Sequence, residues 1–316
     1  MQDFLYKITF GFFWVVSLMP LSVHYFFSDF LLYPLIYHLV GYRKKVVREN
    51  LKGSFPEKTE KELKDIERKF YHFFCDYIVE NIKTFSMSKE EMMRRMTFTN
   101  LEEADPGYAE GRVIMFLYLA HYCDWEWIAS MPYWSPDRHI SQIYHPLYNK
   151  VTDRIFLHLR EQYGGESIPM KKTLRRCIQM RTEFKKVVIG CISDQLPKWN
   201  SIHYFTKFLG RDTATFIGTE QMAKKLKGIV YYGRMSRPKR GYYNCELIKI
   251  THRPEDYPDY QLTDIYSQLL EEDIRREPHL WLWSHKRWKR TKEEWEERKR
   301  QAKNDKEDKD DKDEKE

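Results

Sequence analysis

Short apolar runs alternate with helical stretches beyond Thr97, and this alternation constrains the fold more than any other feature of the chain. The runs that suit β-strands are residues 113–119, 140–144, 187–192, 229–232 and 245–250. The stretches between them that suit helices are residues 125–132, 148–163, 171–182 and 217–226. Strands that alternate with helices predict an α/β fold with a mixed, largely parallel sheet flanked by helices. We assign residues 96–290 to this domain.

The N-terminal 42 residues are apolar and predict a membrane-associated helical region. Residues 8–27 contain no Asp, Glu, Lys or Arg, a length that can cross a hydrocarbon core of about 30 Å. Pro20 and His24 interrupt this run, so spanning the bilayer and lying in its interface both remain open, as does a buried helix of a soluble protein. No small-residue cleavage site follows, so a removed signal peptide is not expected. Arg43, Lys44 and Lys45 come next and favour the cytoplasmic side for the rest of the chain.

Two further segments flank the α/β domain: a helical region before it and a charged segment after it. Residues 43–95 are predicted to be helical, with a long helix at 58–85 whose apolar stripe includes Phe70, Phe74 and Tyr77. Residues 291–316 are charge-dense and predict a helix end followed by a disordered tail. Residues 303–316 carry five Lys against eight acidic residues, a net charge of −3, so the rest of a chain of net charge +7 carries about +10. Such a basic body suits acidic partners, such as anionic lipids or an acidic protein.

Cysteine usage excludes two further classes of protein. The five cysteines are scattered, and no two have the spacing Cys-x-x-Cys. This pattern indicates reduced thiols in a reducing compartment, and it argues against a disulfide framework or a zinc site. We expect no metal and no cofactor.

His121 is the leading candidate for a catalytic residue. It directly follows the apolar run 113–119 and Ala120, so it lies at the carboxyl end of a strand, the edge where α/β sheets bind ligands. Asp124 is a candidate helix N-cap, and Glu126 follows His121 by five residues. On one continuous helix this spacing turns the two side chains about 140° apart, whereas a loop between them lets Glu126 reach back to the imidazole. The pattern predicts His121 as a general base oriented by Glu126.

Other readings of this region stay open. A single histidine at a strand end is commonly structural. Cys123 is close enough to His121 to suggest a Cys-His nucleophile, although its position at the turn points it away. His285 could serve as the base instead, but neither a strand end nor a carboxylate accompanies it.

The stretch from His121 to Glu126 resembles the His-x4-Asp/Glu motif of glycerolipid acyltransferases. It most resembles the late acyltransferases of lipid A biosynthesis, whose pattern is often His-x-x-Asn-Trp-Glu, with Asp124 here in place of Asn. Four further stretches follow the order of that family: Gly41-Tyr-Arg-Lys-Lys with Ser54-Phe-Pro-Glu; Tyr144-His-Pro-Leu-Tyr-Asn with Arg154; Ile192-Ser-Asp194-Gln195 with Phe208-Leu-Gly-Arg211; and Trp281-Leu-Trp283-Ser-His285-Lys-Arg287.

This resemblance implies substrate-binding roles for five residues: Asp124, Arg154, Asp194, Gln195 and Arg211. Asp194 and Gln195 end a strand at the sheet edge of His121, where the alternative is a turn that caps the strand. Arg154 and Arg211 could bind phosphate or stabilise an oxyanion, or they could be surface residues or partners of Asp194. Trp283, His285 and Arg287 are expected to pack rather than to take part in the chemistry.

The resemblance also implies an activity. It is the transfer of a fatty acyl chain from a thioester, of acyl carrier protein or of coenzyme A, to a hydroxyl of a lipid A precursor. The catalytic domain would face the cytoplasm at the cell inner membrane. Four basic residues, Lys171, Lys172, Arg175 and Arg176, are candidates for docking the carrier. The alternatives are a glycerophospholipid or aminolipid lyso-acyltransferase and an inactive membrane-docked binding protein. A nucleic-acid partner is not expected, because it leaves the apolar N-terminus unexplained.

Overall fold

Two bent helices open the chain. The structure, a computed structural model, describes residues 1–301. Helix α1 (Gln2–Ser17) ends just before Pro20, and α2 (Leu21–Phe27) continues as π-helical turns at Ser28–Leu32 and Pro34–Val40. Within residues 1–301, no single helix is both long and apolar enough to cross a bilayer. The pair Gln2–Ser17 and Leu21–Val40 meets these criteria together, with a bend of 106° between its two parts.

Three helices follow: α3 (Lys44–Ser54), α4 (Glu60–Lys83) and α5 (Lys89–Arg95). Thr59 starts α4 with a capping box, in which its hydroxyl accepts from the Glu62 amide and the Glu62 carboxylate accepts from the Thr59 amide. The apolar stripe predicted at 58–85 lies on this helix, and Phe70 and Phe73 are buried in the core.

Buried polar contacts fasten the N-terminal helices to the rest of the protein. The Ser28 hydroxyl donates to Asp76 of α4 at 2.8 Å. Arg240, in the loop between two paired strands of the sheet, bonds both Asp76 and Asp29. Asp76 is only 3% exposed. The first 42 residues therefore share a polar cluster with α4 and with the loop that contains Arg240.

The α/β domain contains the remaining elements. In chain order they are β1 (Met96–Thr99), α6 (Asp105–Ala109), β2 (Ile114–Leu119), β3 (His139–Tyr144), α7 (Lys150–Glu161), β4 (Glu166–Pro169), α8 (Thr173–Glu183), β5 (Val187–Ile192), β6 (Tyr204–Phe208), β7 (Arg211–Thr215), α9 (Gly218–Leu226), β8 (Ile229–Lys239), β9 (Tyr242–Thr251) and α10 (Gln261–Arg276).

Seven of these strands form one sheet in the order β1-β9-β8-β2-β5-β3-β4, and β6 and β7 form a separate hairpin. Within this sheet only the pair β8–β9 is antiparallel. All six residues of β2 are buried, as expected of a central strand covered on both faces. The predicted mixed, largely parallel α/β fold is confirmed. Membrane association of the N-terminal region stays a prediction.

The element predictions differ from the structure in three places. Residues 125–132 form a 3₁₀ helix, Trp125–Tyr133, rather than an α-helix, and Pro132 lies inside it. The pattern gave no indication of β1, β4, the β6–β7 hairpin or α10. The helix end predicted at the start of 291–316 is longer than expected, since residues 292–301 are all helical, while the disorder predicted beyond it falls on residues 302–316, outside the described residues.

Candidate active site

Two neighbouring parallel strands bring the central residues of the site together. Strands β2 and β5 pair in register, with Leu119 opposite Ile192. His121 and Asp194 each follow two residues after these strand ends, so both leave the sheet at its carboxyl edge. The Ser193 amide donates to the Leu119 carbonyl oxygen at 3.2 Å, which continues the pairing beyond the strands.

His121 and Asp194 are joined by two hydrogen bonds. The Nδ1 atom of His121 lies 2.6 Å from Oδ1 of Asp194, and the His121 backbone amide donates to Oδ2 at 3.0 Å. Because the carboxylate accepts from Nδ1, the proton of a neutral imidazole resides there, and the Nε2 atom carries the lone pair.

Trp281 completes the surroundings of the aspartate. Its indole Nε1 donates to Oδ2 of Asp194 at 2.8 Å, and its segment pairs with the backbone of Tyr122. Asp194 is 5% exposed. Burial works to raise its pKa, but the charge of His121 and the hydrogen bonds from His121 and Trp281 outweigh burial and hold the pKa of Asp194 below its usual value. Asp194 is therefore an ionised partner for His121 at neutral pH.

The other ring nitrogen of His121 faces an amide and the cavity. Nε2 of Gln195 lies 3.1 Å from Nε2 of His121 and donates to it in this tautomer. Trp125 packs its ring edgewise against the imidazole with centroids 4.9 Å apart, and Tyr77 stacks on Trp125 at 4.3 Å. These contacts fix the plane of the imidazole.

Glu126 does not contact His121 as the spacing predicted. Its two carboxylate oxygens accept from Nε and Nη2 of Arg160 on α7, at 2.7 and 2.6 Å. The 3₁₀ helix that begins at Trp125 directs Glu126 toward α7, so the imidazole takes its carboxylate from Asp194 instead. Glu126 and Arg160 both line the same cavity as His121.

Asp124 is buried away from the cavity. Its carboxylate oxygens lie 3.4 Å from the Asn81 amide nitrogen, and the side chain is fully buried. Burial raises the pKa of Asp124 well above its usual range, and the nearby carboxyls of Glu80 and Glu126 raise it further. Asp124 lies in the turn after β2, and it is not among the residues that line the cavity in front of His121.

The two arginines implied by the resemblance lie elsewhere. Arg154 is exposed, pairs with Asp3 and covers the ring of Tyr6 at 4.0 Å. Arg211 stacks over Trp288 at 4.2 Å, and burial lowers its pKa. Neither is among the residues that line the cavity.

The structure disfavours the two competing chemical groups. Cys123 is fully buried, and burial raises the pKa of its thiol well above the usual value. Its left-handed backbone, with φ of 55°, places it in the turn. His285 accepts the Leu196 amide on Nε2 at 3.2 Å, and burial lowers its pKa to about 4. A thiol without access is a poor nucleophile, and a histidine of lowered pKa that does not line the cavity of His121 is a poor general base.

A large cavity opens beside His121, with a volume of about 1160 Å³. Apolar side chains of β2, β3 and β5 form much of its wall: Leu117, Leu119, Ile140, Val188 and Ile192. Gly190 lies among them, where an added Cβ would come 3.2 Å from Leu119. Near the entrance the lining turns basic, with Lys171, Lys172 and Lys198. The cavity therefore suits a molecule with a long apolar part and an anionic part.

Sequence reasoning missed three residues of the site. Trp281 belongs to a stretch that was recognised, but its bond to Asp194 crosses 87 residues. Arg160 falls on a predicted helix with no sign of its partner. Trp125 begins the predicted helical stretch 125–132, and nothing in the sequence indicates that its ring packs against His121. Among residues 1–301 there is no group of three or more His, Cys, Asp or Glu side chains arranged to hold a metal ion.

A histidine–aspartate pair beside a largely apolar cavity is an arrangement suited to general-base chemistry on a substrate with an apolar part. The family model described as bacterial lipid A biosynthesis acyltransferase matches residues 1–290, and the chain belongs to this family. The protein is therefore an acyltransferase of lipid A biosynthesis in the general sense. Comparison with curated proteins gave no match.

Proposed function

We propose that the protein transfers a fatty acyl chain from an acyl thioester to a hydroxyl of a lipid A precursor, with His121 as general base and Asp194 as the group that orients it. The observation that carries this proposal is the 2.6 Å bond between Nδ1 of His121 and Asp194 beside the cavity. It leaves the basic nitrogen, Nε2, directed toward the substrate space.

The reaction needs no covalent acyl-enzyme, because a thioester is already activated. Nε2 of His121 takes the proton of the acceptor hydroxyl as its oxygen attacks the thioester carbonyl carbon. The C–S bond then breaks, and the thiolate receives the proton from the imidazolium. Asp194 stabilises the imidazolium between these two steps.

Gln195 supplies a donor for the oxyanion. Its amide now donates to Nε2 of His121 at 3.1 Å, the position that an acceptor hydroxyl would occupy. Once that hydroxyl displaces it, the amide would be free to donate to the carbonyl oxygen that becomes negative, where a donor lowers the barrier.

The other polar residues support the site in different ways. Glu126 holds Arg160 at the cavity wall, and Asp124 shapes the turn that carries His121. Arg211 packs under Trp288, so we assign it a structural role, and Arg154 attaches α1 to α7. Anionic groups of the substrates would meet the basic residues at the cavity entrance.

Donor, acceptor and location remain parts of the proposal. An acidic acyl carrier protein suits the basic body, and acyl-coenzyme A is the alternative donor. The cell inner membrane, with the catalytic domain facing the cytoplasm, suits the N-terminal helices, whose exposed side chains include Phe4, Phe12, Phe26, Phe30 and Leu39.

The test is His121→Ala in purified protein, with acyl transfer to a lipid A precursor followed by mass spectrometry. Loss of a general base typically costs about 100- to 10,000-fold in turnover. His203→Ala is the matched control, because His203 is exposed and outside the cavity. Retention of more than roughly a tenth of wild-type turnover would contradict the assignment. A wild-type protein that binds the lipid without turnover would indicate an inactive binding protein.

A further inference from the structure

Two exposed segments border the cavity entrance: residues 145–149 and the outer face of residues 170–178, here called the cavity rim. They are neighbours because β3 and β4 pair in parallel, with Tyr144 opposite Pro169. Residues from both segments line the cavity next to His121. Whatever the rim contacts is therefore held at the place where substrate enters.

The rim is apolar where solvent-facing helices are normally polar. Met170, in the 3₁₀ turn before α8, and Leu174 and Ile178, on α8, recur at four-residue steps and are 45%, 37% and 51% exposed. Leu147 and Tyr148 are exposed on the adjoining loop. Apolar side chains in a row of this kind indicate a surface that meets another apolar phase.

Cations lie beside this apolar row. Lys171, in the turn before α8, and Arg175, on α8, each come one residue after a member of the apolar row, and both are exposed. Lys172 is also exposed. No Asp or Glu occurs in residues 145–150 or 169–178. An apolar row flanked by cations and free of acids is complementary to an anionic lipid surface.

The rim also continues into the apolar N-terminal helix. The Leu147 amide donates to Asp153 of α7 at 2.7 Å, which ties the loop to that helix. The next residue of α7, Arg154, pairs with Asp3 of α1. Phe10 of α1 packs edgewise on His158 at 4.9 Å. Exposed apolar residues of α1 thus lie alongside the same helix that anchors the rim.

We infer that the cavity rim is a second membrane-contacting surface, which seats the cavity entrance on an anionic leaflet so that the acceptor lipid enters directly from it. The inference rests on the proposed lipid substrate. Docking of an acidic carrier protein is the competing use of the same cations. Two observations disfavour this docking. Arg176 is bonded to Glu166 and Glu183 and is not available to a partner, and docking of a carrier leaves the exposed apolar row unexplained.

Single-cysteine labelling tests the inference without depending on turnover. All five native cysteines are buried, so a thiol fluorophore reports on an introduced exposed cysteine. The variants are Tyr148→Cys and Ile178→Cys in the full-length chain, reconstituted in bilayers that contain phosphatidylglycerol. The control is Lys225→Cys. Lys225 is exposed on α9 just before β8 begins, so it lies at the amino ends of the parallel strands, opposite to the carboxyl edge that carries His121.

We expect a blue shift at both rim positions and quenching by lipids that carry a nitroxide. Quenchers near the headgroup should act more strongly than quenchers at the chain end, because an interfacial surface sits about 5–10 Å deep. The label at position 225 should show neither effect. Labels at 148 and 178 that behave like the control would overturn the inference, and so would labels that respond only to added acyl carrier protein. If lipid quenching occurs at the rim but the protein transfers no acyl group, the proposed function is refuted, whereas the inference that the rim contacts the membrane still holds.

Discussion

Replacing Asp194 by asparagine tests the central pairing of the site, because it preserves shape and removes the charge. The carboxylate has two differently placed oxygens. Oδ2 faces two N–H donors, the His121 backbone amide and the Trp281 indole, whereas Oδ1 faces only Nδ1 of His121. The asparagine amide oxygen will therefore take the position of Oδ2, since an NH₂ group there would meet two donors. The NH₂ group is then left facing Nδ1.

An NH₂ group opposite Nδ1 forces that nitrogen to accept. The proton of the neutral imidazole moves to Nε2, and the nitrogen that faces the substrate is no longer a base. In a well-studied hydrolase triad the same change of tautomer costs about 10⁴ in turnover. At 1.36 kcal/mol per tenfold, this is about 5 kcal/mol of barrier. The Gln195 side chain can turn its amide oxygen toward the new N–H at Nε2, which keeps these hydrogen-bonding groups partnered, so the protein should remain folded.

The assay is turnover with saturating acyl thioester, together with thermal unfolding of each variant. Glu126→Gln is the matched comparison, because the sequence pattern favoured Glu126 as the partner of His121. We expect it to lose only about tenfold, since Glu126 bonds Arg160 and a glutamine keeps one of those bonds. If Glu126→Gln loses more turnover than Asp194→Asn while both stay folded, the pairing argued here is wrong.

Three further outcomes follow from other positions. Asp124→Asn should keep turnover within about threefold, under ~1 kcal/mol of barrier, because Asp124 lies outside the cavity lining, accepts from Asn81 as an amide oxygen also can, and is in a buried place that disfavours its charge; a larger loss in a folded variant would show that the charge of Asp124 has a role. Gly190→Val should shift kcat/KM toward shorter acyl chains by about tenfold, because its side chain enters the cavity near Leu119; an unchanged profile across a series of donor lengths would place the acyl chain elsewhere. The pKa of His285 is about 4, below its unfolded value of about 6.5, so the unfolded state binds more protons between these values and stability falls as pH drops from 6.5 to 4. Denaturant unfolding measures this: between pH 7 and pH 4.5 the free energy of unfolding should fall less for His285→Gln than for wild type. Equal decreases in the two proteins would contradict this.

The sequence predicted the central strands well, because a strand covered on both faces must be apolar throughout. β2 and β5 stand out for this reason. The edge strand β4 reads Glu-Ser-Ile-Pro, with only one fully buried residue, and carries no comparable signal. When only one face of a four-residue strand is buried, its hydrophobic pattern is too weak to predict the strand from the sequence.

The site was only half predictable, and the reason is distance along the chain. Strand ends placed His121 and Asp194 at one edge, but the pattern favoured Glu126 as partner because it lies five residues away rather than 73. Local spacing cannot show where Arg160 lies, and Arg160 is what holds Glu126 away from the imidazole. The partner of a catalytic base is thus set by helix placement, which needs the three-dimensional structure.

The polar cluster around Asp76 has a consequence for how the protein can be handled. An anchor joined by a free linker can be cut off to obtain a water-soluble enzyme, but here Ser28 and Asp29 complete the bonding of Asp76 and Arg240. Removal of the first 42 residues would take Ser28 and Asp29 from this cluster, and it would leave the buried ammonium of Lys83 without its acceptors, the carbonyl oxygens of Ser17 and Met19, a costly change for a folded protein. We therefore expect truncation to give aggregated or degraded protein, and solubilisation of the intact chain in detergent to be the productive route to pure enzyme.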